Sequence, residues 1–530
     1  MNDAPFYNQI DFISAPHISS LIKTYLKGNL PSELYGHLPN PEGLRKQADV
    51  KSKHFSFRKD LVKALQLQYK RCDADLTDLS EVSENIEALL DEKTVTITTG
   101  HQACFGGGPL FSVYKIITAI DRCRTFQKAN PEYKAVPVFW MATEDHDWEE
   151  ANHFYIDEKK WVFDNGESGA VGRRSTKGIE AWMDQFASQL PKGNVSDQVI
   201  KHLRHAYCTH DNWADATRQW VHDLFGAFGL VVIDGDDKSL KELFVPVMER
   251  ELFGSGFAKQ VKENTAALEK AGFGAQAHYA DVNLFMLSDG LRAYPERTDK
   301  GFMWNNKQWT NNDLHDLLLT NPQMFSPNVM LRPLYQEWIL PNISYVGGPG
   351  ELAYWFQLKG IFDSVHVPFP VLTLRDGFVL WTDKDRRRYE KLKVDTLFFT
   401  PGEWKNRWVE THTSLPLKLD EQKQTIQTLF DGLEKLAEQT DESMVGAVAA
   451  QRAKQLKGMD KLEKKLLRAE KRQHKEAMQH IDKLLNVMYP INIPQERHNS
   501  LWMWWLKTGK NPIEDVIKAA DNGFAVLIID

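Results

Sequence analysis

Two short apolar runs each end in a crowd of reactive polar residues. The first lies in VTITTGHQACFGGGPLFSVYK, Val95 to Lys115, and the second in VPVFWMATEDHDWEEANH, Val136 to His153. Short runs rich in β-branched and aromatic residues, such as these, read as buried strands that deliver polar side chains to their carboxyl ends. A helical stretch from about Pro109 to Lys128 separates them, so strand, helix and strand make one right-handed crossover unit. Open parallel sheets bind ligands at the carboxyl ends of their strands, where both polar clusters fall. The pattern points to an α/β fold and to an enzyme more than a scaffold.

With 530 residues and about 150 residues per domain, the chain holds two to four structural units. Residues 1–90 read as a helical lead-in packed on the core, with Leu61, Leu65 and Tyr69 on one helical face. Residues 91–154 and 216–375 form the sheet core, which resumes with the strand GLVVIDGDD at Gly229 to Asp237. The polar stretch 155–215 reads as an inserted connecting segment, and VNLFMLSDGLRAYPERTDKGFMWNNKQWT as antiparallel hairpins. Residues 376–488 form a helical domain, and 489–530 a tail that returns to the core.

Within the helical domain, Ile426, Leu429, Leu433 and Leu436 follow 3-4-3 spacing. After a polar break at Thr440 to Ser443, Leu456, Met459, Leu466, Gln473, Ile481, Leu484 and Met488 fall near heptad positions. Two long helices in an antiparallel coiled coil are the expected arrangement. From Lys454 to Lys475 nine Lys or Arg face three Asp or Glu, which reads as a solvated helix face before it reads as a phosphate-binding stripe.

A net charge of -7 argues against a global nucleic-acid footprint, which would show as a basic excess. No run approaches the roughly 18 apolar residues of a membrane span. Four cysteines without a CxxC pair and an acidic opening segment fit a reducing cytoplasm.

Three clusters carry the candidate chemistry. In GHQACFGGGPLF, His101 and Gln102 stand at a strand end, and Gly107, Gly108, Ser112 and Lys115 surround a helix start that could hold an anion on free backbone donors. The run is neither GxGxxG nor a P-loop, and the alternative is a turn needed only for packing. In TEDHDWEE, Glu144, Asp145 and Asp147 crowd beside His146, with His153 close behind as an orienting group. Such a crowd can act as general base or hold an amine, and one or two of its acids can simply cap the next helix. No permanent metal is expected. In YVGGPGELAYW, Tyr345, Gly347, Gly348, Glu351 and Tyr354 again join glycines to a helix start, with Arg332 and Gln336 on the approach. Arg332 suits a carboxylate through a bidentate pair, or an internal acid.

TGHQACFGGGPLFSVYK, PVFWMATEDHDWEEANH, FSPNVMLRPLYQEWILPNISYVGGPGELAYW and the late PQER together resemble the bacillithiol-biosynthesis cysteine-adding enzymes. The resemblance runs along essentially the whole chain. It implies a Rossmann-like core of nucleotidyltransferase type with inserted connecting segments, and a C-terminal coiled coil that makes a homodimer. It also implies coupling of L-cysteine to the amine of glucosaminyl malate, with ATP or another nucleotide activating the carboxylate. On this view His101 and Lys115 stabilise developing charge, Glu144, Asp145 or Asp147 handles the amine, and the GGPGE segment with Arg332 orients the sugar malate. Two other classes remain: a metal-dependent hydrolase of an amide or sugar using EDHD and His153, and an idle coiled-coil interaction protein.

Overall fold

A computed structural model describes residues 6–15, 18–72, 80–394, 401–415, 417–520 and 523–529. Two compact units partition the chain: Met1–Leu380 with Ile493–Asp530, and Trp381–Asn492.

The first unit is built on a five-stranded sheet. Its strands are β1 (Thr94–His101), β2 (Lys134–Met141), β3 (Val231–Asp234), β7 (Asn342–Gly347) and β8 (Val371–Leu374), arranged in the order β8-β7-β1-β2-β3 and all parallel. Between β3 and β7 the chain adds β4 (Leu284–Ser288), β5 (Leu291–Ala293) and β6 (Phe325–Pro327), a separate antiparallel sheet. The runs read as buried strands are buried almost throughout, from Val95 to Gly100 and from Ala135 to Met141.

Helix α1 (Leu110–Ala129) makes the crossover from β1 to β2. The short α2 (Trp148–Ala151) follows β2, and α3 (Trp213–Phe225) and α4 (Lys238–Phe253) flank β3. Helices α5 (Arg332–Ile339) and α6 (Pro349–Trp355) bracket β7. The amino-terminal helices are tied to this body by buried polar bonds. Lys51 Nζ donates to the Glu337 carbonyl at 2.7 Å, and the Val232 N–H donates to Tyr69 Oη at 2.8 Å. The tail returns as a strand, Phe524–Ile528, antiparallel to Phe6–Ile10.

The second unit carries α7 (Asp420–Glu438), α8 (Glu442–Gln473) and α9 (Lys475–Met488). Lys423 pairs with Asp460 and Glu463, and Arg452 with Asp431 and Glu434, so α7 and α8 run antiparallel as a hairpin. The face of α7 turned inward differs from the leucine stripe read as its core. Phe430 and Ala437 are buried, whereas Leu429 and Leu436 are 61% and 65% exposed. The helix carries two apolar stripes offset by one residue, and spacing alone does not say which one meets α8.

Candidate active site

A cleft of about 620 Å³ opens where β1, β2 and β7 end, within the usual size range for ligand pockets. His101, Gln102, Lys115, Glu144, Asp145, Arg332, Gly348, Glu351 and Tyr354 all line it. Residues from three chain reversals therefore share one space, as parallel strand topology demands of neighbouring strand ends.

Lys115, on the first turns of α1, points back under the strand end. Its Nζ donates to the Gly100 carbonyl at 2.9 Å and meets Glu351 Oε2 at 2.5 Å. Glu351 also accepts the Gly348 N–H at 2.9 Å and the Tyr345 hydroxyl at 3.1 Å. Burial pushes the Glu351 carboxyl up, but Lys115, the Gly348 N–H and the Arg332 charge outweigh it and hold it down at about 2. Burial, reinforced by the Lys115 charge, pushes His101 down to about 3. His101 is thus a neutral imidazole, set edge-on to Phe111 with ring centroids 5.0 Å apart.

Asp145 accepts from Gln102 Nε2 at 2.8 Å and from the His146 N–H at 2.7 Å, with Arg292 Nη1 at 3.8 Å. Burial raises its carboxyl, but the Gln102 amide, Arg292 and the backbone donors together hold it below the usual carboxylate range. Its neighbour Glu144 behaves oppositely. Burial dominates and raises it, although Lys241 Nζ sits 2.5 Å away and also holds Asp236 at 2.7 Å. Glu144 is a wall of the cleft braced from behind by a buried lysine.

Several expected site residues lie outside the cleft lining. Asp147 caps α2 by accepting the Glu150 N–H at 3.1 Å. His153 Nδ1 is 3.1 Å from the Glu149 carbonyl at the start of a hairpin. Gln336 is buried and donates to Glu337 at 3.1 Å. Tyr345 is buried and meets the site through Glu351 and Arg332, and Gly347 packs against Leu352. Gln357, just past α6, is buried and accepts the Gln276 and Ala277 N–H groups, each at 2.8 Å.

The glycine loop is the largest correction. Its backbone donors are already committed: Gly106 to Tyr207 Oη, Gly107 to the Cys104 carbonyl, Gly108 to the Phe105 carbonyl, and Leu110 to the Asn499 carbonyl. Ser112 Oγ likewise donates to the Gly107 and Pro109 carbonyls. Gly107 has φ +80, and a Cβ there would lie 2.2 Å from Trp220, while Trp502 Nε1 donates to the Gly106 carbonyl at 2.8 Å. These glycines admit the aromatic rings of Trp220 and Trp502 against the backbone. Gly107, Gly108 and Ser112 shape the floor beneath α1.

Other residues complete the cleft without having shown a local motif. Arg292 and Tyr294 come from the β4–β5 hairpin and its exit, with the Arg292 guanidinium 3.7 Å from the Phe285 ring centroid. Arg375 follows β8, and Arg497 comes from the tail. Glu150, Phe111 and Asn328 also face the space. The charges separate into two walls. Lys115, Arg375 and Arg497 gather near Phe111, with Arg332 beside Tyr345 and Glu351, whereas Glu144 and Asp145 lie toward Arg292.

Among the described residues no group of three or more His, Cys, Asp or Glu is placed to hold a metal ion. Two acids of the EDHD cluster are instead engaged by cations, Glu144 by Lys241 and Asp145 by Arg292, which is poor company for a divalent ion. No helix among them is long and apolar enough to cross a membrane.

Residues 8–376 match the bacillithiol biosynthesis BshC N-terminal Rossmann-like domain, and residues 378–525 the C-terminal coiled-coil domain of the same family. The latter match extends into the tail that folds with the sheet unit. Among similar proteins, one from Flavobacterium psychrophilum is 37% identical, covering 98% of both chains. One from Flavobacterium johnsoniae is 38% identical over 98% of this chain and 99% of its own. Both carry the name "Putative cysteine ligase BshC". A Rossmann-like sheet, a helical hairpin and full-length similarity agree, and the chain belongs to the bacillithiol biosynthesis BshC family.

Proposed function

We propose that this protein is a cytoplasmic ligase that joins the carboxylate of L-cysteine to the amine of glucosaminyl malate, forming an amide. The observation that carries the reading is the cleft's division into an acidic and a basic wall. Four cations, Lys115, Arg332, Arg375 and Arg497, stand against two carboxylates, Glu351 and Glu496. Two positive charges are left over, which matches the two carboxylates of a malate group. Across the cleft, Asp145 stays ionised and suits the ammonium group of cysteine.

The electrostatics also refine the roles. A carboxylate held below its usual range is a good counter-ion and a weak base, so Asp145 positions an amine better than it deprotonates one. His101, neutral at working pH, serves as a hydrogen-bonding group where charge develops on the reacting carboxyl, and Lys115 adds a fixed positive field. Amide formation in water needs an activated carboxylate, for which ATP is the proposed source. The N–H groups of Gly106, Gly107, Gly108 and Leu110 are taken, so no phosphate contact is assigned to them. The exposed Leu429, Leu433 and Leu436 stripe supports a homodimer through the coiled coil, since a second copy would cover it.

The test is incubation of the purified protein with ATP, L-cysteine and glucosaminyl malate, followed by mass detection of bacillithiol. Product that requires all three supports the ligase reading. A folded protein that binds both substrates and releases no product overturns it.

A further inference from the structure

The tail meets the cleft at Glu496 and Arg497, with a hydrogen-bond geometry that the charge count alone does not use. Arg375 is almost wholly buried, and its guanidinium end is filled by Glu496, with Nη1 to Oε2 at 2.8 Å and Nη2 to Oε1 at 2.6 Å. The second Nη1 hydrogen goes to the Asp376 carbonyl at 3.0 Å. Of the five N–H donors of an arginine, the Nε–H and the second Nη2–H remain. Nε is buried and has no hydrogen-bond partner among the described residues. These two donors form the side edge of the fork, a geometry that accepts a carboxylate through two parallel bonds. A Cβ built on Gly348 would lie 3.9 Å from this Nε, and both residues line the cleft, so this unpartnered edge sits beside the cleft.

We propose that Glu496 is a positioning residue that turns Arg375 so that its side edge binds a substrate carboxylate, and that Arg497 closes the same subsite. This rests on the ligase reading for the identity of the substrate, a malate group, but not for the existence of the subsite. The physical logic is preorganisation. A free arginine side chain has many rotamers, and fixing one before the ligand arrives removes that cost from binding. Glu496 fixes it from the far end of the fork, where it does not compete for the side edge. Arg497 follows directly in sequence, and its guanidinium carbon lies 5.7 Å from the centroid of Phe111, the same distance as that of Arg375. Both cations therefore flank one ring. The chain leaves the cleft at Arg375, builds the whole helical unit, and returns at Glu496 to lock the residue it left.

The experiment measures L-malate binding by calorimetry, and turnover separately, for wild type, Glu496→Gln, Glu496→Asp and Arg375→Lys, each checked for folding by circular dichroism. Wild type is expected to bind L-malate. Glu496→Gln should weaken that binding at least tenfold and raise KM for glucosaminyl malate similarly, with kcat and KM for cysteine within threefold. Glu496→Asp should recover part of the loss. Arg375→Lys keeps the charge but lacks the side edge, and should lose binding as Glu496→Gln does, which decides the matter if Glu496→Gln does not fold. Equal malate binding in wild type and the folded variants overturns the proposal even if bacillithiol is made. Malate binding that depends on Glu496 in a protein that makes no product upholds the subsite and removes the ligase reading.

Discussion

Lys115 Nζ and Glu351 Oε2 meet at 2.5 Å, tying the first turns of the helix after β1 to the helix start after β7. The lysine side chain is 3% exposed and the glutamate 28%. Breaking a buried pair strands its remaining charge, at a cost of about 3–5 kcal/mol. Glu351→Gln should therefore lose about 3 kcal/mol in urea unfolding. The double variant Lys115→Met/Glu351→Gln should be more stable than the sum of the single losses by at least about 1 kcal/mol. Simple additivity would mean that the pair does not form.

His101 gives the cleft a pH signature. Its ordinary value of 6.5 falls to about 3 in the folded protein. Between those values the unfolded chain takes up a proton that the native chain refuses, so stability falls as pH drops from 6.5 toward 3. In His101→Asn that part of the acid loss should vanish. Parallel slopes of unfolding free energy against pH for the two proteins would show that His101 titrates normally.

Gly107→Ala should destabilise the fold by about 2 kcal/mol or more, because positive φ alone costs on the order of 1–3 kcal/mol and the new methyl collides with Trp220. Thermal unfolding measures it. If the loop were a phosphate cradle, the substitution would instead leave stability nearly unchanged and abolish nucleotide binding.

The sheet and its polar strand ends were legible because VPVFWM is an uninterrupted apolar run and VTITT a β-branched one, and because neighbouring strand ends in such a sheet converge. Other features were hidden for physical reasons. GGG reads the same whether a phosphate or a tryptophan approaches the backbone, and only the distant Trp220 and Trp502 decide between them. Asp147 and Asp145 look equivalent in TEDHDWEE, yet one caps a helix and the other faces the cleft. Arg292, Arg375 and Arg497 are lone arginines on separate segments, with no spacing to mark them. Late PQER carried a signal, since Glu496 and Arg497 stand in it.

Asp145→Asn keeps the side chain's shape and an oxygen for Gln102 but removes the charge proposed to face the cysteine ammonium. The ratio kcat/KM for cysteine should fall at least about tenfold, mostly through KM, as loss of a charged hydrogen bond of roughly 1.5–3 kcal/mol implies, while the thermal midpoint stays close to wild type. Unchanged kinetics would shift the amine to Glu150 or Glu144.

The most direct test of the two-walled cleft is a crystal structure with glucosaminyl malate and L-cysteine bound. The malate carboxylates should lie on Arg375 and Arg497, and the cysteine ammonium within hydrogen-bond reach of Asp145. Substrates seated elsewhere on the molecule, or malate turned toward Asp145, would contradict the account.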